Sequence, residues 1–245
     1  MKTGKQRKAL FFAATLALAS GQAGAVGSLD PSVLSGLQSA FDSMAEDLTS
    51  ALSYKAVAPA ASTGMIGFEV DAAVSLTETA NIDQWGNAIG DTSLDYLPVP
   101  KVQARKGLPL GLEVGGVFST VPGSNIKFWG GEVKYALMGG NVAMPAVAVR
   151  GAYTKLQGVD LLDMSTKSLD VSVSKGFLFF TPYVGVGKVW GTVTPDASLS
   201  LSEATPSATK LFGGLHVGLG FFKLGYEWDK TGDAVSHSLK LGLGF

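Results

Sequence analysis

The sequence predicts an all-β protein, a transmembrane antiparallel up-and-down β-barrel of about ten strands preceded by an N-terminal amphipathic helix. Three observations predict it. From residue 65 to the end, apolar residues alternate with small or polar ones in a succession of stretches. Each is close to the roughly nine to eleven residues that a tilted strand needs to cross a bilayer. The chain of 245 residues holds 32 glycines, is only 16% charged and has positive mean hydropathy. A soluble protein averages about 25% charged, yet no segment here reaches the ~18 continuous apolar residues of a membrane-spanning helix. Finally, longer polar connections and tight glycine-rich ones alternate along the chain, as in a barrel whose two ends differ.

In chain order, residues 1–25 read as a secretory signal peptide. Lys2, Lys5, Arg7 and Lys8 form a basic start, Ala9 to Ala19 an apolar core, and Ala23-Gly24-Ala25 a small-residue cleavage site. Its removal would take the formal net charge from −1 to about −5, so the chain is mildly acidic and no nucleic-acid partner is expected. Cysteine is absent, so an exported chain must rely on packing and backbone pairing. Residues 26–64 form a helix and linker. Asp30 suits an N-cap and Pro31 the first helical position. Val33, Leu34, Leu37, Phe41, Met44, Leu48 and Leu52 then recur at helical spacing over 29–54. The opposite face carries Asp42, Glu46 and Asp47 but no base, which argues against lying on an anionic lipid surface. Residues 56–64 read as a linker.

Residues 65–245 are the barrel. The expected strands are 65–77, 96–106, 108–118, 126–138, 143–155, 166–175, 177–190, 208–219, 221–229 and 235–245. Tight connections fall near 107, 139–142, 176 and 219–220. The longer ones are 78–95, 119–125, 156–165, 191–207 and 230–234. If the longer ones lie outside, Tyr96, Phe118, Trp129, Tyr153, Trp190 and Trp228 collect at the outer ends of their strands as an aromatic belt. Trp85 falls in the first long loop, and Tyr135, Phe222 and Phe245 fit a belt at the other end. Both termini would then lie on the inner side.

Strand parity separates a lipid face from a lumen. Lipid-facing positions include Phe68, Val70, Val74, Leu110, Leu112, Val114, Val147, Val149, Val171, Val173, Leu211, Leu215 and Val217. The lumen receives Glu69, Asp71, Lys101, Gln103, Arg105, Glu113, Glu132, Lys134, Arg150, Asp170, His216, Lys223, Glu227 and Lys240. Strand 177–190 contains Pro182 and turns Lys188 toward lipid, which suggests a bulge. The near balance of inward charge has two readings: pairs that fill a narrow barrel, or the lining of a solute path. An open porin-type channel takes about sixteen strands, which this chain does not supply.

The final strand adds a resemblance. Val235, Leu239, Leu241, Leu243 and Phe245 alternate with small and polar residues up to the last residue. This resembles the closing strand of bacterial outer-membrane β-barrels, in which an aromatic end with alternating apolar residues is the sorting signal. The resemblance implies location in the outer membrane of a Gram-negative bacterium, after signal-peptide removal. It implies outer-membrane lipid and the barrel-assembly machinery as partners, the latter through the C-terminal strand and Phe245. The expected function is a small, largely occluded outer-membrane barrel for passive passage of small solutes or for envelope integrity. In that reading the helix, through Leu34, Leu37, Phe41, Met44 and Leu48, plugs the lumen or its periplasmic mouth with its acids toward Lys101, Arg105 and Arg150. Packing on a soluble helical partner or self-association is the alternative for it. The alternatives are a scaffold or adhesin acting through its loops, and an outer-rim enzyme.

Catalysis has little to stand on. Ten-stranded omptin proteases use acidic residues and a histidine at the outer rim, but no omptin motif is present. His237 lies near Asp229 and Asp233 in sequence, yet its parity turns it toward lipid. The Ser two residues after His that marks lipid A deacylases is missing, because Ser238 follows His237 directly and Lys240 comes later. Two histidines and no cysteine offer no metal site, and no cofactor is expected. The glycines at 213–214, 218 and 220 make no dinucleotide fingerprint, since no helix follows them.

Overall fold

Alternation produces strands because successive side chains point to opposite faces, so one face can meet lipid while the other fills a lumen. The computed structural model describes residues 31–83, 96–120, 125–140 and 143–245, and side chains of the helix from residue 37 onward. Its elements are α1 (Pro31–Leu52), β1 (Phe68–Glu78), β2 (Tyr96–Gly107), β3 (Leu112–Thr120), β4 (Lys127–Gly139) and β5 (Ala146–Gln157). They continue as β6 (Leu162–Ser174), β7 (Phe180–Pro195), β8 (Ser207–Leu219), β9 (Phe222–Thr231) and β10 (Ala234–Gly244). Every strand pairs antiparallel with its sequence neighbours, and β1 pairs with β10 to close the barrel. Closure leaves no edge, the condition for a sheet to sit in hydrocarbon.

The seam between first and last strands carries paired hydroxyls, an ion pair of Lys240 with Glu69 and one aromatic contact. Ser75 and Ser238 approach to 2.7 Å and Thr77 and Ser236 to 2.8 Å, all facing inward. At the tight-turn end Phe68 and Phe245 exchange backbone bonds of 3.0 Å, and their rings meet edge-to-face at 4.6 Å.

Several boundaries differ from the sequence reading. The strand expected from 108 starts at Leu112, because Pro109 and Leu110 belong to a 3-10 turn in which Leu110 has φ 63°. Proline has no ladder donor there, and Leu110 therefore lies beyond the lipid-facing register. β7 runs on to Pro195, so the loop expected at 191–207 shrinks, and its remainder folds back with Val193 and Ala204 bridged. The strict alternation of long and short connections softens too. Residues 158–161 and 232–233 are tight turns on the side of the longer loops, with Gly158 and Gly232 at positive φ. The bulge expected at Pro182 is absent: β7 keeps unbroken register with both neighbours, and the irregularity lies in β4 between Ala136 and Met138. Lys188 stays outward without a bulge, its ammonium 5.9 Å from the Trp190 ring centre.

The outer face carries the apolar load. Val70, Val102, Val133, Leu169, Val184, Leu215 and Leu241 are among many large apolar side chains left exposed around the wall. Tyr96, Phe118, Trp129 and Trp190 are exposed toward the longer connections, and Tyr135, Phe222 and Phe245 toward the tight turns. Tyr153 and Trp228 are partly covered, Tyr153 by Trp129, whose ring centre lies 6.0 Å away. Trp85 lies outside the described residues. The described helix is not apolar enough along its length to cross a membrane.

Candidate functional site: a lumen filled by the N-terminal segment

Ten strands enclose a lumen that side chains nearly fill, and here the chain's own N-terminal segment occupies it. The site has three levels. At the level of the longer connections sits the second half of α1. Phe41, Ala45, Leu48 and Leu52 are buried in one cluster with Leu97, Val99, Val117, Phe128, Leu156, Met164 and Val193 from the wall. Leu37 is exposed and Met44 only partly buried. The Leu34 side chain lies outside the described residues.

The middle level is the stretch from the end of α1 into the linker, where the sequence reading assigned residues 56–64 only as a linker. Backbone carbonyls inside a wall need donors. The Tyr54 carbonyl accepts from Lys210 Nζ at 3.1 Å, and the Lys55 carbonyl from Lys101 Nζ at 3.1 Å and Gln103 Nε2 at 2.7 Å. The Ala56 carbonyl accepts from Arg105 Nη2 at 3.3 Å, and Leu52 from the Thr154 hydroxyl at 2.9 Å. The Lys55 side chain turns back to the helix end, donating to the Ser50 carbonyl at 2.8 Å and pairing with Asp229 at 3.2 Å. A cation at a helix C-terminus satisfies orphan carbonyls and suits the macrodipole.

The inner level continues the pattern. Lys134 Nζ donates to the Pro59 and Ala61 carbonyls at 3.1 Å each and pairs with Glu113 at 2.8 Å. Glu113 accepts from the Thr63 amide at 2.8 Å. Around these contacts the wall is paired with itself. Arg150 bridges Asp170 at 3.1 Å and Glu132 at 3.5 Å, while Arg105 lies 3.4 Å from both Glu69 and Asp71. Lys240 meets Glu69 at 2.7 Å, His216 lies 3.6 Å from Glu69, and Tyr183 donates to Glu227 at 2.9 Å.

The inward residues expected from parity all sit on the lumen side, with His216 and Lys223 only partly buried near the inner mouth. A cavity of about 220 Å³ remains there, lined by Arg105, Lys134, His216, Lys223 and Phe245 among others. Lys210 and Asp229 were missed, although the parity that places His216 and Glu227 inward extends to both. With Lys55 included, Lys55, Lys101, Arg105, Lys134, Arg150, Lys210 and Lys240 balance Glu69, Asp71, Glu113, Glu132, Asp170, Glu227 and Asp229, all buried.

Two expectations need correction. Lys101 and Arg105 meet linker carbonyls, and Arg150 meets wall carboxylates, rather than the acids of the helix. Asp47 instead accepts from the Ala80 and Asn81 amides at 3.1 Å, and Asp42 accepts from Gln38 at 2.8 Å. The reason is direction: α1 lies toward the longer connections, and only the extended linker reaches the depth of the bases. The described part of the N-terminal segment therefore begins at the opposite end of the barrel from Phe245, not on the same side.

Among the described residues, His237 is not brought together with the two acids near it in sequence. Its Nδ1 lies 2.9 Å from the Tyr226 hydroxyl on the outer face, while Asp229 is bound to Lys55 inside. Among the described residues no cluster of histidine and carboxylates could hold a metal. Asp196, on the exposed connection after β7, takes a hydrogen bond from Ser198 that holds its carboxyl below the usual range.

No family model matches the chain, and no curated protein matches it. Solved structures to which it is similar include the N-terminal β-barrel domain of Pseudomonas aeruginosa OprF, at 15% identity over 74% of this chain and 99% of that one, TM-score 0.40. The translocator domain of autotransporter NalP from Neisseria meningitidis is similar at 9% identity over 87% and 97%, TM-score 0.39. Yersinia pestis Ail is similar at 12% identity over 74% and 100%, TM-score 0.30. The fold stands on the strand pairing itself, a closed barrel of ten antiparallel strands.

Proposed function

We propose that this chain is an outer-membrane β-barrel sealed by its own N-terminal segment, an envelope component that passes small solutes only when that segment moves. The observation that carries the reading is the row of linker carbonyls at Tyr54, Lys55, Ala56, Pro59 and Ala61, each met by an inward base. Such charge-assisted bonds are stronger than neutral ones, and leaving either partner bare in a buried site is costly. The linker is therefore held as a fitted part of the lumen. Export through a signal peptide, removed before assembly, belongs to the same reading, as does engagement of the assembly machinery by the closing strand.

The test is planar-bilayer conductance of the full chain and of a triple variant, Phe41→Ser, Leu48→Ser and Leu52→Ser. Each buried apolar side chain contributes roughly 1.5–3 kcal/mol, so docking of the helix loses several kcal/mol while the closed wall keeps its own pairing. The parent should be silent or flicker rarely, and the variant should fold and conduct. A folded variant as silent as the parent would refute the seal.

A further inference from the structure

Cations on the outer wall are unevenly distributed. Among the described residues, outward-facing lysines cluster on four adjacent strands: Lys127 on β4, Lys155 on β5, Lys167 on β6 and Lys188 on β7. Lys127 lies two residues from Trp129 on the same face of β4, and strand register links the other three. Lys155 lies opposite Trp129, Lys167 lies opposite Tyr153 on one side and Trp190 on the other, and Lys188 lies opposite Leu169. The remaining outward lysines of the strands are apart from this group: Lys106 donates to the Met65 and Gly67 carbonyls near the tight turns, and Lys230 is on β9.

The aromatic rings fix the depth of this patch. Trp and Tyr settle where hydrocarbon gives way to headgroups, so the lysines interleaved with them lie at that level, with their stems along the wall and ammonium groups toward water. Two exposed acids stand near them: Asp163, 3.8 Å from Lys155, and Asp160 in the turn between β5 and β6. Neighbouring strands are spaced about 4.8 Å apart, so four strands present positive charge over a breadth comparable with a sugar-phosphate headgroup. Lysine ammonium is a compact point charge suited to phosphate oxygens. A protein partner would have to displace lipid to reach this face, whereas a lipid headgroup is already there.

We propose that the Lys127–Lys155–Lys167–Lys188 patch, framed by Trp129, Tyr153 and Trp190, seats the phosphorylated headgroup of an outer-leaflet glycolipid. This rests on the membrane reading above and on the longer connections facing outward.

The experiment reconstitutes the full chain into phosphatidylcholine vesicles containing either bisphosphorylated lipid A or its dephosphorylated form. Insertion is read by heat-modifiable migration, and lipid retained after detergent extraction by mass spectrometry. The parent should retain the phosphorylated lipid at least tenfold over the dephosphorylated one. The quadruple variant Lys127→Gln, Lys155→Gln, Lys167→Gln and Lys188→Gln should insert but lose that preference, while Lys106→Gln with Lys230→Gln keeps it. Free inorganic phosphate at millimolar concentration should not displace the lipid; displacement would assign the patch to a soluble anion and overturn the lipid proposal. Equal retention of both lipids by an inserted parent, or undiminished preference in the quadruple variant, would also overturn it. Failure of the parent to insert would remove the membrane reading and this inference together.

Discussion

At Lys55 a helix end, a linker and the barrel wall meet in one side chain. Its ammonium caps the Ser50 carbonyl, bonds Ser53 at 3.1 Å and pairs with Asp229, and both charged groups are buried. Removing one partner from such a pair is far more damaging than replacing both, because the survivor keeps its desolvation cost without compensation. Asp229→Asn should therefore weaken docking of the linker by about 3–5 kcal/mol. Amide hydrogen exchange over residues 50–60 would report it as faster exchange, with the strands still protected. The double variant Lys55→Met with Asp229→Asn should recover most of that protection. Equal exchange in parent and single variant would show that the pair does not hold the linker.

At the scale of elements, the contact between α1 and β7 depends on a missing side chain. A Cβ at Gly191 would collide with the Thr49 side chain, and the collision is with the branched, β-substituted end of a residue already buried. Gly191→Val should lift the helix from the wall and raise conductance, although valine is well suited to a strand. Adding Thr49→Ala should lower the conductance again. An unchanged single variant would mean that the helix can shift without opening the lumen. This contact also marks where the sequence stopped being informative. Strand existence was legible because period-2 alternation is imposed by the two solvents of the wall, and the inward position of Glu113 or Lys240 follows from parity alone. The helix was legible from Phe41, Leu48 and Leu52. Its place along the barrel was not, because an amphipathic pattern names a face and not a depth. The stretch from residue 53 through the linker was the least legible, since apart from the Lys55 side chain its role lies mainly in backbone carbonyls, which every residue has. Strand ends were misplaced where Pro109 or the fold-back after β7 overrode the pattern.

At the scale of the whole molecule, the direction of the N-terminal segment sets the last prediction. Gln38 and Ser202 exchange two hydrogen bonds, of 2.8 and 3.3 Å, and Asp47 holds the Ala80 and Asn81 amides. These partners all lie among the longer connections. Sixteen residues after Asp47, at about 1.5 to 3.3 Å of rise per residue, the chain has crossed the lumen, and Thr63 bonds Glu113 beside the tight turns. A segment about 10–12 Å wide where helical must then be in place as the wall closes around it, or be drawn through before the β1–β10 seam forms. Either way the helix start faces the same compartment as Asp196. Single cysteines are clean probes because the chain has none. On intact cells a membrane-impermeant maleimide should label Ser39→Cys and Asp196→Cys, both at exposed positions, and leave the exposed Met144→Cys on the tight-turn side unlabelled until the membrane is opened. Labelling of Asp196→Cys together with protection of Ser39→Cys would place the helix elsewhere than the outer mouth. Labelling of Met144→Cys alone would invert the whole barrel.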